Sequence, residues 1–111
     1  MIEDRMFPVL DRLLSQTSKR QQILAGNVAN LDTPGYRAKD ISFAAELDGN
    51  LDMGSRVIEV ETKEKPNGNN VDLDRELTEI TKNGLQYVTL VQYLNQKIKT
   101  LRAAISEGGK V

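Results

Sequence analysis

The 111-residue sequence contains no cysteine, no histidine and no tryptophan. Without cysteine and histidine the chain lacks disulfides, the commonest catalytic nucleophile and base, and the usual ligands of transition metals. No apolar run is long enough for a membrane span or for the core of an ordinary secretory signal. We therefore expect no catalytic residue, no cofactor, no metal site and no cleaved signal peptide.

Acidic residues remain as candidates for chemistry. Asp72 to Glu76 fits the capped first turn of a helix, and Glu59 to Glu64 fits the solvated face of a strand. The segment from Asp48 to Glu59 has part of the spacing of a calcium loop, but Met53 stands where that loop requires glycine. Helix capping and exposure to solvent explain these acidic residues better than acid–base catalysis or calcium binding does. A calcium-binding domain is kept as an alternative.

The N-terminal segment carries a repeat with alternating steps of four and three residues, which is typical of one helix face. The repeat positions are Leu10, Leu14, Thr17, Gln21, Leu24, Val28 and Leu31. Two of them, Thr17 and Gln21, are polar and weaken this seam. Pro34 and Gly35 predict the end of the helix and a type II turn. Residues 1–40 are thus predicted to form a helix followed by a turn motif.

The middle of the chain has a different composition. Residues 41–76 hold four Lys/Arg against nine Asp/Glu, and glycine and asparagine are frequent between 41 and 70. An alternating pattern over residues 55–62 predicts a possible strand. We therefore predict a flexible acidic middle over 41–70, partly disordered or containing a short β-hairpin.

The C-terminal segment, 71–111, shows the most regular pattern. The same alternation continues without a miss through Leu73, Leu77, Ile80, Gly84, Tyr87, Val91, Leu94, Ile98, Leu101 and Ile105. At 1.5 Å per residue such a helix extends roughly 50 Å. The polar middle leaves only the first helix and other chains to cover this stripe. The predicted fold is mainly α, with two long terminal helices in an antiparallel hairpin or coiled coil, forming one structural unit.

One motif follows the first helix. The run Asn27-Val-Ala-Asn-Leu-Asp-Thr-Pro-Gly-Tyr36 resembles the signature of the flagellar axial family of rod, hook and hook-associated proteins. The matching residues are Asn27, Ala29, Asn30, Thr33, Pro34, Gly35 and Tyr36. Gly68 to Glu76 and Tyr87 to Lys97 further resemble the proximal-rod branch. Arg37 to Phe43 is most similar to its B-type members, with the C-type as the alternative.

This resemblance implies a structural subunit of the bacterial flagellar basal body, located in the periplasmic proximal rod of the motor drive shaft. It implies assembly through both terminal helices into an axial tube, and export by the flagellar type III system. The implied partners are other copies, other rod proteins, the rod-to-MS-ring adaptor and the export gate. No basic cluster is present, so nucleic acid is not expected as a partner. The structural role that the resemblance implies involves no small-molecule substrate. A cytoplasmic helical adaptor is a further alternative.

Overall fold

The computed structural model describes residues 5–42 and 56–108. Helix α1 spans Met6–Ala29, strand β1 spans Lys39–Ser42, strand β2 spans Arg56–Glu59 and helix α2 spans Leu73–Gly108. The helices pack side by side, and β1 and β2 form a two-stranded antiparallel sheet. This arrangement confirms the predicted, mainly helical fold with a short β-hairpin between two long helices.

The turn after α1 has the predicted geometry. The Tyr36 N–H donates to the Thr33 carbonyl oxygen at 3.2 Å, which closes a four-residue turn around Pro34 and Gly35. Gly35 has φ of 74°, the value that the third residue of a type II turn requires. The type II turn is confirmed, and it redirects the chain from α1 toward β1.

The start of α2 is capped as its sequence predicts. Asp72 precedes the helix, and its Oδ1 accepts a hydrogen bond from the Arg75 N–H at 3.3 Å. Asp74 and Glu76 add negative charge in the first turn, where the helix dipole favours it. Asp72, one of the acidic residues that are candidates for chemistry, therefore serves as a helix cap.

The sheet is short and sits beside the helices. Lys39 pairs with Glu59 and Ser42 with Arg56, and the Val60 N–H extends the pairing by donating to the Ala38 carbonyl at 2.9 Å. The strand β2 lies within the predicted range 55–62. Most of the calcium-like loop, residues 48–55, lies outside the described residues.

Helix α2 extends beyond α1. Asn27 lies opposite Glu76, and Thr17 lies opposite Asn83, so the helices are antiparallel. They contain 24 and 36 residues, and at 1.5 Å per residue α2 is about 18 Å longer. Continuing the register places the first described turn of α1 opposite about residue 95. Residues 96–108 therefore extend past it, and we call them the α2 overhang.

Candidate functional site

Asn27 is the centre of a buried polar cluster at the end of α1. Its side chain is fully buried. The amide nitrogen donates to the Lys39 carbonyl and to Glu76 Oε1, both at 2.7 Å. The amide oxygen accepts from the Lys39 N–H at 3.0 Å and from the Tyr36 hydroxyl at 3.5 Å. One side chain thereby joins α1, the turn, β1 and α2.

Two further asparagines complete this cluster from the loop before α2. Asn69 Nδ2 donates to the carbonyl oxygens of Asn30 and Thr33 at 2.9 and 2.8 Å, which secures the turn. Asn70 Oδ1 accepts from the Ala38 N–H at 2.6 Å. Asn69 and Asn70 are fully buried, although they fall within the segment predicted to be flexible. We call Asn27, Asn69, Asn70 and Glu76 the corner cluster.

The turn and the loop approach each other closely through two glycines. The Gly35 N–H donates to the Asn67 carbonyl at 2.9 Å. Gly68 has φ of 86°, and a Cβ there would lie 3.4 Å from the Gly35 Cα. A Cβ would thus be in ordinary van der Waals contact with Gly35, and the positive φ is what disfavours a side chain at this position. The Pro-Gly turn is therefore seated on the loop that carries Asn69 and Asn70.

An ion network lies beside the corner cluster. Arg20 on α1 donates to both oxygens of Asp40, at 2.8 and 3.0 Å, and to Glu79 Oε1 at 2.7 Å. Arg75 on α2 donates to Asp40 Oδ2 and Glu76 Oε2, each at 2.9 Å. Asp40 is nearly buried on β1, so both arginines hold the sheet against the helix pair. Charge-assisted bonds of this kind are stronger than neutral ones.

The network lowers the pKa of two carboxyl groups. Burial raises the pKa of Asp40, but hydrogen bonds from Arg20, the Ile41 N–H and Arg75 outweigh that effect and hold it below its ordinary value. The hydrogen bond from Arg20 likewise lowers the pKa of Glu79, against a smaller opposing effect of burial. Since these folded-state pKa values are depressed, their stabilisation is present above the ordinary carboxyl pKa of about 4 and is lost below it.

We therefore expect the free energy of unfolding to hold steady from pH 7 to pH 5 and to fall as the pH drops below about 4. Asp40→Asn should be less stable at pH 7 and should lose less stability on acidification. Urea unfolding followed by circular dichroism at several pH values measures both effects. Glu61→Gln, at an exposed position, should keep the original pH dependence. An Asp40→Asn profile parallel to that of the unsubstituted chain would contradict this role.

The polar positions in the α1 seam have a partner on α2. Asn83 Nδ2 donates to the Thr17 carbonyl at 2.7 Å and to Gln21 Oε1 at 2.8 Å. Asn83 and Thr17 are both buried. The middle of the helix pair is therefore held by hydrogen bonds where the heptad pattern lacks apolar side chains.

The motif residues take different places around the corner cluster. Asn27 is buried, Asn30 and Tyr36 are half-buried, and Ala29, Thr33, Pro34 and Gly35 are exposed. The small residues beside Asn27 and Asn30 in the sequence suggest a surface that another helix could approach and hydrogen-bond. Both asparagine amides instead bind within the chain. Asn30 Nδ2 donates to the Gly26 carbonyl at 2.8 Å, and Asn30 Oδ1 accepts from the Thr33 hydroxyl at 3.0 Å.

The seam residues also divide into groups. In α1, Leu10 and Leu24 are buried, while Leu14, Val28 and Leu31 are half-buried. In α2, the half-buried positions are Ile80, Gly84, Val91, Leu94, Ile98 and Leu101, and the exposed ones are Leu73, Leu77 and Tyr87. The line of α2 that is most buried against α1 runs through Glu76 and Asn83. The apolar stripe is therefore displaced to one side of the helix contact.

Several structurally central residues lie outside the predicted seam and the Asn27 to Tyr36 motif, although four of them lie in the segment from Gly68 to Glu76 that resembles the proximal-rod branch. They are Arg20, Asp40, Asn69, Asn70, Arg75, Glu76, Glu79 and Asn83. One available signal was the position of Arg20, which lies three residues after Thr17 and four before Leu24 and so shares their helix face. A charged residue on an otherwise interior face indicates a buried partner.

The described residues contain no group of three or more acidic, histidine or cysteine side chains that could hold a metal ion. Within the same ranges, neither helix is long and apolar enough to cross a membrane. The side chains of the corner cluster bind groups of the same chain, since Asn27 donates to Glu76 while Asn69 and Asn70 bind backbone groups of the turn and strand segments. The chemistry of this site is therefore cohesion between chain segments.

Comparisons with known proteins agree with this structural role. A family model described as flagella basal body rod protein matches residues 14–37, which include the motif. The chain is 34% identical to flagellar basal body rod protein FlgB of Bacillus subtilis (strain 168), over 91% of this chain and 92% of the relative. It is 30% identical to FlgB of Proteus mirabilis (strain HI4320), over 95% and 96% of the two chains. For FlgB of Escherichia coli (strain K12) the identity is 33%, over 86% and 88%.

Proposed function

The chain belongs to the FlgB family of flagellar basal body rod proteins and is a structural subunit of the proximal rod, and we propose that it assembles through surfaces of α2 that its own fold leaves open. This membership confirms the predicted B-type branch. It places the chain in the flagellar basal body, in association with other flagellar components. A structural subunit has no catalytic role.

The observation that carries the proposal is an exposed apolar stripe on α2. Leu73, Leu77, Gly84 and Val88 lie on one side of the helix, because their spacings of four and seven residues bring them into register. We call these four residues the outer stripe. Leu77 is 49% exposed and Val88 is 51% exposed. Large exposed apolar side chains aligned along one side of a helix in this way are typical of protein–protein contacts.

The corner cluster supports the same proposal in another way. It joins the motif, the sheet and the start of α2 through bonds within the chain, so it gives the two helices a fixed relative position. A fixed helix pair presents the outer stripe in one geometry, which lowers the ordering cost when subunits associate. We assign the motif residues to this positioning of the assembly surface.

The first test is Val88→Asp, which places a charge on the outer stripe. We expect the monomer to keep its helicity and to lose no more than about 0.5 kcal/mol of stability, since the site is exposed. Rod assembly and swimming should be lost, because burying an unpaired carboxylate between subunits is unfavourable. Circular dichroism of the purified variant and motility of cells carrying it as their single copy measure the two effects.

Thr89→Asp is the matched control, because Thr89 is exposed on the same helix turn but lies off the outer stripe. Cells with this variant should swim normally. Normal swimming with Val88→Asp, or equal loss with both variants, would contradict an assembly role of the outer stripe.

The export route and the neighbours are part of the same proposal. We propose export by the flagellar type III system, and contacts with other copies, other rod proteins, the rod-to-MS-ring adaptor and the export gate. The resemblance of the motif and the family membership support this. Inactivating the flagellar export apparatus should retain the subunit in the cytoplasm; a periplasmic subunit in such cells would contradict the route.

A further inference from the structure

A groove runs between α1 and α2 beside the outer stripe. Its deeper part is a cavity of about 220 Å³, lined by Thr17, Ser18, Gln21, Asn83, Gly84 and Tyr87. A shallower cavity of about 410 Å³ shares Ser18 and Tyr87 with the first and continues along α1 past Leu14 and Ser15. Small residues on both helices keep the groove open, and Gly84 also belongs to the outer stripe. The groove is thus continuous with the proposed assembly surface.

Gly84 is not required by the packing of the chain itself. A Cβ built on Gly84 would meet no atom within 4 Å. Glycine in a helix interior lowers helix stability relative to alanine. The chain thus carries a destabilising residue at a position where its own fold has room for a larger one. Close approach of another backbone is a physical reason for a glycine there.

Asn83 supplies an independent observation at the same place. It is 1% exposed, and both hydrogen bonds of its side chain are made by the amide nitrogen. Its Oδ1 is buried and has no donor within the described part of the chain. A buried acceptor without a partner is unfavourable. An entering side chain with an N–H or O–H group would satisfy it.

We infer that the groove receives the α2 overhang of a second copy of this chain, an inference that rests on the proposed function and identifies one of its contacts. The overhang has no α1 residue opposite it among the described residues. It carries Ile98, Leu101 and Ile105 on one face, spaced three and four residues apart. Ile105 is 65% exposed. Ile98 and Leu101 are half-buried and Ile105 is exposed, so the apolar face of the overhang is only partly covered, and the groove holds space that its own side chains do not fill.

The α2 overhang and the groove also carry complementary hydrogen-bonding groups. Lys97 and Arg102 flank the apolar face of the overhang, and both side chains are donors only. Their long stems can cover apolar surface while the charged end reaches a polar atom. Asn83 lines the groove, and its buried Oδ1 is the acceptor that these donors would reach on insertion. Insertion of the overhang would therefore bury Ile105 and bring donors to the unpartnered oxygen.

Cysteine cross-linking tests this contact, because the natural chain contains no cysteine. In a Ser18→Cys/Ile105→Cys chain, the second thiol lies 18 residues beyond Tyr87, which is roughly 27 Å along the helix. A disulfide requires Cα atoms within about 7 Å, so the pair can bridge only two copies. Basal bodies and concentrated purified protein, each treated with diamide, should give disulfide-linked multimers on non-reducing gels.

The control pair is Ser18→Cys/Glu107→Cys, which moves the second thiol to the opposite face of the overhang. We expect at least tenfold less cross-linking from this control. Equal cross-linking by both pairs, or none from Ser18→Cys/Ile105→Cys in either sample, would overturn the inference. It would leave the proposed function intact if Val88→Asp still blocked assembly.

Gly84→Leu provides a second measurement in the background of the Ser18→Cys/Ile105→Cys chain. A Cβ at this position meets no atom within 4 Å, and leucine favours helix over glycine, so the helicity should be retained and the melting temperature should not fall. The added side chain fills the groove, and cross-linking should fall at least tenfold. Undiminished cross-linking with a folded Gly84→Leu variant would overturn the inference.

Discussion

Replacing Glu76 with alanine is expected to lower the free energy of unfolding by about 3–5 kcal/mol, the usual cost of removing one partner of a buried ion pair. Glu76 is fully buried. Its oxygens accept from Asn27 Nδ2 at 2.7 Å and from Arg75 Nη1 at 2.9 Å. The substitution therefore leaves two donors and a cavity in the corner cluster. Urea unfolding at neutral pH, followed by circular dichroism at 222 nm as an estimate of helix content, measures the loss.

Glu61→Ala is the matched control, because it removes a glutamate of the same chemistry from an exposed position. Its effect should stay within about 0.5 kcal/mol. Glu76→Gln should fall between the two, since glutamine keeps the volume and one acceptor but places an amide donor near other donors. A loss below about 1 kcal/mol with Glu76→Ala would mean that the corner cluster does not hold α2 to α1.

The helices and the turn could be predicted because local rules determine them. Alternating steps of three and four residues produce an apolar face in any long helix. Pro34 disfavours helical backbone at the residue before it, and Gly35 supplies the positive φ that a type II turn requires. The cap at Asp72 follows from a side chain that can reach a free N–H of the first turn. Each of these features depends on neighbours within a few positions.

The corner cluster could not be assembled from the same rules. The sequence contains its parts in two motifs, one around Asn27 and one from Gly68 to Glu76. Hydrophobic periodicity gives no weight to asparagine or glutamate, so the sequence pattern assigns the residues of the corner cluster only to loops or helix caps. Their burial depends on contacts between positions up to 49 residues apart. Family resemblance identified both motifs, but only the structure shows that they bind each other.

The displacement of the α2 stripe has the same origin. The heptad pattern predicts an apolar stripe covered by α1 and by other chains, but α1 presents Thr17 and Gln21 at the middle of the contact. On α2, Asn83 donates to the Thr17 backbone carbonyl and to Gln21 Oε1, and Glu76 accepts from Asn27. Polar complementarity therefore rotates α2, and part of its apolar stripe is left at the surface. This surface is what a subunit that works by association requires.

Replacing Asn27 with leucine is the second substitution from which we expect a large effect, a loss of about 3 kcal/mol, since four hydrogen bonds of a fully buried side chain are lost together. Leucine has the same branched arrangement of four side-chain heavy atoms as asparagine, with bulkier methyl groups, but it neither donates nor accepts. The Lys39 N–H and carbonyl lose their partner, and Glu76 loses one donor. Urea unfolding measures the loss, and hydrogen exchange should show faster opening of β1 than of the centre of α2.

The control for Asn27→Leu is Asn95→Leu, at an exposed position of α2, which should change stability by no more than about 0.5 kcal/mol. A double-mutant cycle that combines Asn27→Leu with Glu76→Ala then separates the coupling energy between the two side chains from the other effects of each substitution. If Asn27 and Glu76 act through one hydrogen bond, the double variant should be more stable than the sum of the single losses predicts, by about 1 kcal/mol or more. Strict additivity would show that the two motifs stabilise the chain independently, and that the signature after α1 does not act by holding α2.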